Sequence, residues 1–405
     1  MSEADIDYAS HPAIINLQNY LKIKCVHPHV NYDECIHFLK AQAADIGLPV
    51  QTHVVSTNKP VLVVTWEGLQ PELPTIMLNS HMDVVPAIEK KWKHPPFAAE
   101  IEDGVIYGRG AQDMKSASIQ HLEALRNLKA RGTRLKRTVH LSFVPEEEMG
   151  GAEGMGEFVK TEAYRRLNVG FALDEGLSND GEELLVFNGE KTRWHVKIVC
   201  TGKSGHGSMF LPDNSGEKVR HIIDRFMDLR EKYQQLLVDD STLTIGDITT
   251  INLTKLEGGV LPNIVPEKFT ARFDIRLATN VNHQLFEDMI NRWCKEAGGG
   301  VTCEFEQKDP YVAPTKMDES NIYWIAMKKI NLTARKSRMD IPIIRRTMPC
   351  TTDARFLRSR ASALNFSPMR RAPPLPHQRD ERLPLHVFLQ GIQVYENILQ
   401  AVSNV

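Results

Sequence analysis

Three apolar runs in the first half of the chain break off at acid or imidazole. PTIMLNS (74–80) runs into His81 and Asp83. VHLSFV (139–144) runs through one proline into Glu146, Glu147 and Glu148, and VGFAL (169–173) into Asp174 and Glu175. Near-continuous apolar strands that alternate with helical patterns, such as MKSASIQHLEALRNLKARG, predict a mostly parallel sheet with helices on both faces. In such a sheet the carboxyl ends of the strands share one edge, where α/β proteins bind ligands. A further acid, Asp113, stands in the glycine-rich loop GVIYGRGAQDMK just before a helix. Carboxylates converging on one edge repel strongly without a cation. Carboxylate with imidazole, and no cysteine, is a donor set for zinc, manganese or cobalt. A glutamate triplet alone reads as a solvated loop; coincidence at three strand ends favours a metal centre.

The pattern changes near residue 191. RWHVKIVCTG, ITTINLTKLEGG, EKFTARFDIRLA and GVTCEFEQ alternate as half-buried strands. Two helical stretches, SGEKVRHIIDRFMDLREKYQQLL and NHQLFEDMINRWCKEAG, are set among them, and the order βαββαβ is that of a ferredoxin-like module. The expected organisation is a catalytic domain in two parts, 1–190 and 310–405, with a dimerisation or lid domain inserted at 191–309. A chain of 405 residues suits two cores.

Composition excludes several classes of partner. The net charge of −2 gives no global field for nucleic acid, and no apolar run is long enough to span a membrane. The first ten residues, MSEADIDYAS, lack the basic and apolar regions of a signal peptide. Six scattered cysteines, Cys25, Cys35, Cys200, Cys294, Cys303 and Cys350, form no CxxC pair and suit reduced thiols in a cytoplasmic protein. TGKSGHGS is no phosphate loop, since that motif needs glycine where Lys197 stands.

LNSHMDVVP, YGRGAQDMK, FVPEEEMGG, FALDEG and PHQRDERL, in that order, resemble the motifs of the M20 metallo-hydrolases. TGKSGHGS and TKLEGGVLPNIVP extend the resemblance into the inserted domain. It implies two zinc ions per chain, bridged by Asp113. His81 and Glu175 would complete one ion's protein ligands, and Glu148 and His377 the other's. Glu147 would be the general base, its register within the triplet set by Gly150-Gly151, and Asp83 would orient or tune His81. Paired metals about 3.5–4 Å apart can share a hydroxide and polarise an amide carbonyl. The implied reaction is hydrolysis of N-acyl-L-amino acids, with a dipeptidase or another deacylase of the family as the alternative.

The substrate side follows the same resemblance. CTTDARFLR makes Arg355 the clamp for the substrate's α-carboxylate, because guanidinium grips carboxylate in a fork. His206 would bind the developing oxyanion in the partner subunit of a homodimer, and Asn263 would be another substrate contact. Residues 335–382 carry 12 Lys/Arg against 4 Asp/Glu, which suits an anionic substrate. Four features depart from the family pattern: the basic stretch 334–349, Cys350-Thr351 before Thr352-Asp353, the segment RSRASALNFSPM, one residue shorter than usual, and Arg379 beside His377. They bear on acyl and side-chain preference.

Overall fold

The computed structural model describes residues 7–330 and 341–405; positions 334–340 of the basic stretch lie outside the described residues. The chain divides into two compact units. One comprises Met1–Asn188, Thr315–Arg345 and Thr352–Val405, the other Gly189–Pro314 with Arg346–Thr351.

The first unit is built on a mixed eight-stranded sheet. Its centre is parallel: Val139–Val144, Thr75–His81, Val169–Asp174 and Ser362–Phe366 lie side by side in that order. Antiparallel pairs extend it on both sides, through Lys59–Trp66 and Val50–Ser56 on one and Leu184–Glu190 on the other. Every residue of Thr75–His81 and of Val139–Val144 is buried, as apolar runs without alternation require. Their registers bring His81 level with Val144, and Asn365 level with Asp174. The acid and imidazole groups that follow these strands therefore emerge together.

Helices cover this sheet. Pro12–Lys22 starts behind a His11 cap, and Asp33–Ile46 stops at Gly47, whose φ of 72° is the left-handed conformation of a helix end. The long helix Lys115–Ala130 packs against the last helix, Leu385–Val402. After the glutamate triplet come two short helical pieces, Met155–Phe158 and Glu162–Arg166. Thr161 caps the second piece and ends the first, its hydroxyl accepting from Tyr164 and donating to the Phe158 carbonyl.

The second unit has a four-stranded antiparallel sheet. Its order is Thr250–Gly258, Lys268–Leu277, Thr192–Thr201, Val301–Lys308, and the helices Ser215–Asp239 and His283–Glu296 belong to it. That is the βαββαβ arrangement. Asn214 and Asn282 cap the two helices.

One cysteine expectation fails. Cys25 and Cys35 are joined in a disulfide, while Cys200, Cys294, Cys303 and Cys350 are not so paired. The loop between Cys25 and Cys35 folds back on itself, a proximity that ten residues of spacing do not announce. No helix among the described residues is long and apolar enough to cross a membrane.

His121 lies edge-on to Tyr395 between the two packed helices, and neither ring nitrogen has a hydrogen-bond partner among the described residues. Burial pushes its pKa down to about 3. An unfolded chain protonates histidine below about pH 6.5, so the folded state binds fewer protons between these values. The stability contribution is present above pH 6.5 and declines by up to about 1.4 kcal/mol per pH unit below it. His121→Phe should therefore narrow the difference between urea midpoints at pH 7 and pH 5. An unaltered difference would remove His121 as the source of acid sensitivity.

Candidate active site

His81 closes the central strand with its ring fully buried. Its Nδ1 donates to the carbonyl oxygen of Asp83 at 2.8 Å, which turns Nε2 toward the carboxylates. Nε2 lies 3.0 Å from Asp113 Oδ1 and 3.7 Å from Glu175 Oε2. On the far side of Asp113, its other oxygen is 3.2 Å from His377 Nε2, which in turn is 2.9 Å from Glu148 Oε2. The ligand atoms of His81, Asp113 and Glu175 lie within 4.8 Å of one another, as do those of Asp113, Glu148 and His377. Asp113 belongs to both triads, one oxygen toward each imidazole.

The electrostatics are those of a site short of positive charge. Burial and the Asp113 carboxylate push Glu175 well above the usual carboxylate range. Burial and Glu175 do the same to Glu147, and burial and Asp113 raise Glu148. Asp113 is held low despite its burial, by hydrogen bonds from His377 and His81. His377 is raised to about 10 by its hydrogen bonds to Asp113 and Glu148. Two unit charges about 4 Å apart interact by roughly 4 kcal/mol at an effective dielectric of 20, so a divalent cation in each triad would reverse a large repulsion. The buried Oε1 of Glu148 has no hydrogen-bond partner among the described residues, and the donors of the two triads are all imidazole or carboxylate. This set fits zinc, with manganese and cobalt also suited.

The glutamate triplet divides three ways. Glu146 turns aside, its carboxylate accepting from the Glu153 amide at 2.8 Å. Glu148 enters the second triad, and Glu147, half-buried, lies within the field of Glu175, His81, Glu148 and Asp113. Gly151 follows at φ 64°, and a Cβ there would meet the Asp353 carboxylate at 1.9 Å. Only glycine fits that approach. Arg355 donates to the Gly150 carbonyl and so lies against the same turn.

The second unit brings His206 and Asn263 together. Gly205–His206 pairs with Ile264–Val265, and the Asn263 carbonyl accepts from the Gly207 amide at 2.8 Å. His206 is exposed, its Nδ1 2.7 Å from the Ser208 hydroxyl.

Comparison with known proteins agrees with this arrangement. The family model of Peptidase family M20/M25/M40 matches residues 77–401. The chain is 44% identical over 405 residues to the mouse (Mus musculus) aminoacylase-1, covering 98% of this chain and 97% of that one. The chain belongs to the M20 family. Among solved structures, aminopeptidase PepT of Bacillus cereus superposes with a TM-score of 0.73 at 17% identity, covering 97% and 98% of the two chains. The Bacillus subtilis YXEP protein, a dinuclear metal binding peptidase of the M20 family, gives 0.68 at 15%, covering 96% and 98%. At these identities the likeness is one of fold. Membership of the M20 family makes the chain a metal-dependent hydrolase, and both triads fall within the matched span.

Asp83 has a different task from the one expected of it. Its carboxylate does not hydrogen-bond the His81 ring, whose Nδ1 is 3.9 Å from Oδ1. The backbone carbonyl of Asp83 sets the tautomer, while the carboxylate accepts from the amides of Glu147 and Glu148 at 3.3 and 3.1 Å. A two-residue spacing cannot distinguish a contact through the side chain from one through the backbone.

Glu381 was not singled out by sequence reasoning, although it closes the PHQRDERL motif. Fully buried, it accepts from the amides of Gln112 and Asp113 at 2.7 and 3.1 Å through Oε1. Through Oε2 it accepts from Arg109 and the Gly110 amide at 2.7 and 3.2 Å. It thus ties the Asp113 loop to the loop carrying His377. Burial pushes it up to about 6 against the pull of Arg109. Glu381→Ala should leave three amides and a guanidinium without their acceptor and weaken metal binding about 10–100-fold, the range for ligand-supporting groups. Elemental analysis after dialysis against a chelator measures it; full retention would show that the loop holds itself.

Proposed function

We propose that the chain hydrolyses N-acyl-L-amino acids to a carboxylate and a free L-amino acid, with two zinc ions bound at the Asp113 centre. The observation that carries this reading is the Asp113 carboxylate shared by two imidazole–carboxylate triads, in a chain alike to aminoacylase-1 over nearly its full length. His81, Asp113 and Glu175 would hold one ion, and Asp113, Glu148 and His377 the other. When bound, the metals would polarise the amide carbonyl and lower the pKa of water.

The remaining chemistry belongs to the chain's own groups. Glu147, within the field of both triads and with its pKa raised by burial and by Glu175, is suited to take a proton from the attacking water. It then returns that proton to the amine nitrogen as the C–N bond breaks. Asp83 holds the Glu147 amide and so the base's position. Arg355 would receive the substrate's α-carboxylate; its donation to the Gly150 carbonyl keeps it against the glutamate turn. His206 would donate to the oxyanion in a second copy's site, with Asn263 as its neighbour on the substrate. A homodimer is supported by the second unit's edge strand Thr250–Gly258, with exposed Leu256 on it and Val260, Leu261 and Ile264 following. A cytoplasmic location completes the reading. The Cys25–Cys35 disulfide is the feature that pulls against it, since such bonds are rare there.

Purified protein should contain about two zincs per chain and hydrolyse acetyl-methionine. Glu147→Gln keeps the shape but cannot accept a proton, and turnover should fall by about two to four orders of magnitude with metal content intact. Near wild-type turnover would remove Glu147 as the base. Preferential cleavage of dipeptides would replace the acylase reading with a dipeptidase one.

The trans role of His206 has its own test. His206→Ala should lose about 2.7–4 kcal/mol of transition-state stabilisation, the usual value of one oxyanion donor. Mixed with Glu147→Gln and allowed to exchange subunits, it should regain up to about half of wild-type activity, because one site of the mixed dimer is complete. Proven exchange with no recovery would confine His206 to its own chain or exclude it.

A further inference from the structure

The turn that carries Glu147 and Glu148 is held in a conformation its own residues do not favour. Glu146 sits at φ 72°, ψ 15°, in the left-handed region. A non-glycine residue there is strained and persists only where its surroundings over-determine it. In this turn three successive amides find acceptors outside it. Glu146 N–H donates to the Tyr32 hydroxyl at 3.0 Å, and those of Glu147 and Glu148 donate to the two oxygens of Asp83.

Asp83 in turn is fully buried, and its remaining side-chain partner is His27, whose Nε2 donates to Oδ2 at 2.8 Å. That bond anchors the carboxylate whose two oxygens accept from the two amides. The stretch bearing His27 is locked alongside: Val26 bridges Val84, the Val84 amide donates to the Cys25 carbonyl at 2.8 Å, and the His27 amide to the Val84 carbonyl at 3.3 Å. The Cys25–Cys35 disulfide closes the loop that holds both His27 and Tyr32.

We propose that His27 and Tyr32 are positioning residues for hydrolysis: His27 through Asp83, and Tyr32 directly, hold the Glu146–Glu148 turn so that Glu147 faces the substrate and Glu148 the metal. The inference rests on the roles given above to Glu147 and Glu148. His27 acts by donating a hydrogen bond, so any side chain that places an N–H there should serve.

The test uses the full-length zinc-loaded protein. His27→Leu removes the donor and keeps bulk, His27→Gln restores an N–H, and Tyr32→Phe removes the hydroxyl alone. Turnover and KM on acetyl-methionine are measured, together with zinc affinity by chelator competition and the Tm of the metal-free protein. His27→Leu and Tyr32→Phe should each weaken zinc binding about tenfold and lower kcat by a similar factor, with KM within about twofold of wild type. His27→Gln should recover both quantities to within about threefold, and His27→Leu should add nothing to Asp83→Asn, because the two act in series. Wild-type kcat and zinc affinity in His27→Leu would overturn the role of His27, and the same in Tyr32→Phe that of Tyr32. Equal damage in His27→Leu and His27→Gln, with Tm lowered alike, would reduce His27 to packing. If the wild-type protein leaves acylated amino acids untouched, the substrate reading fails, and the zinc affinities alone still decide the positioning role.

Discussion

The Asp113 carboxylate offers one oxygen to His81 and the other to His377, at 3.0 and 3.2 Å, and the surrounding structure is arranged to keep it there. Its own amide is held by Glu381, which also grips Gly110, Gln112 and Arg109. Directly after it, Lys115 begins the helix with its ammonium buried, donating to the carbonyls of Tyr20 and Ile23 at the end of the first helix. A carboxylate that bridges two cations must present both oxygens at fixed angles, and a loop left to itself would not do so. The sheet supplies the rest, since parallel pairing sets the ends of three strands side by side without further instruction.

This arrangement is poor for stability in isolation. Glu147, Glu148 and Glu175 lie in the field of neighbouring carboxylates, Asp113 among them, and are pushed upward by these and by burial. Burying ionised groups costs several kcal/mol each, so such a cluster is tolerated best with a cation. The layer beneath the site is satisfied instead by neutral groups. Asn79 donates to Asp174 at 2.8 Å and accepts from Ser142 at 2.6 Å, linking the three central strands just under the candidate site. A further acid there would have added to the repulsion.

The last quarter of the chain is rich in basic residues. Some of those charges are committed within the fold: Arg370 and Arg371 pair with Glu182, Arg355 donates to the Gly150 carbonyl and Arg358 to Asn365. A positive stretch in sequence is therefore not equivalent to a positive surface facing substrate. Arg355 differs from the others in lying against the glutamate turn itself.

The sequence by itself determined the family and the kind of residues gathered at the candidate centre. Strand-end acids and imidazole are local features, and strand order follows from alternation with helices, so His81, Glu148 and Glu175 stood out by position and Asp113 by its glycine-rich loop, while His377 came only from the resemblance. The ferredoxin-like module was equally plain, because its alternating strands and two helical stretches follow one another in the order βαββαβ. Tertiary structure alone decided which atoms do the holding. That Asp83 serves His81 through its backbone and the glutamates through its side chain depends on where the chain turns, not on spacing. Glu381 meets Asp113 across 268 residues, and His27, Tyr32 and the Cys25–Cys35 bond come from a loop with no pattern of its own. Such contacts arise when distant segments pack, and a one-dimensional pattern carries periodicity and local chemistry but not the direction in which a buried side chain points.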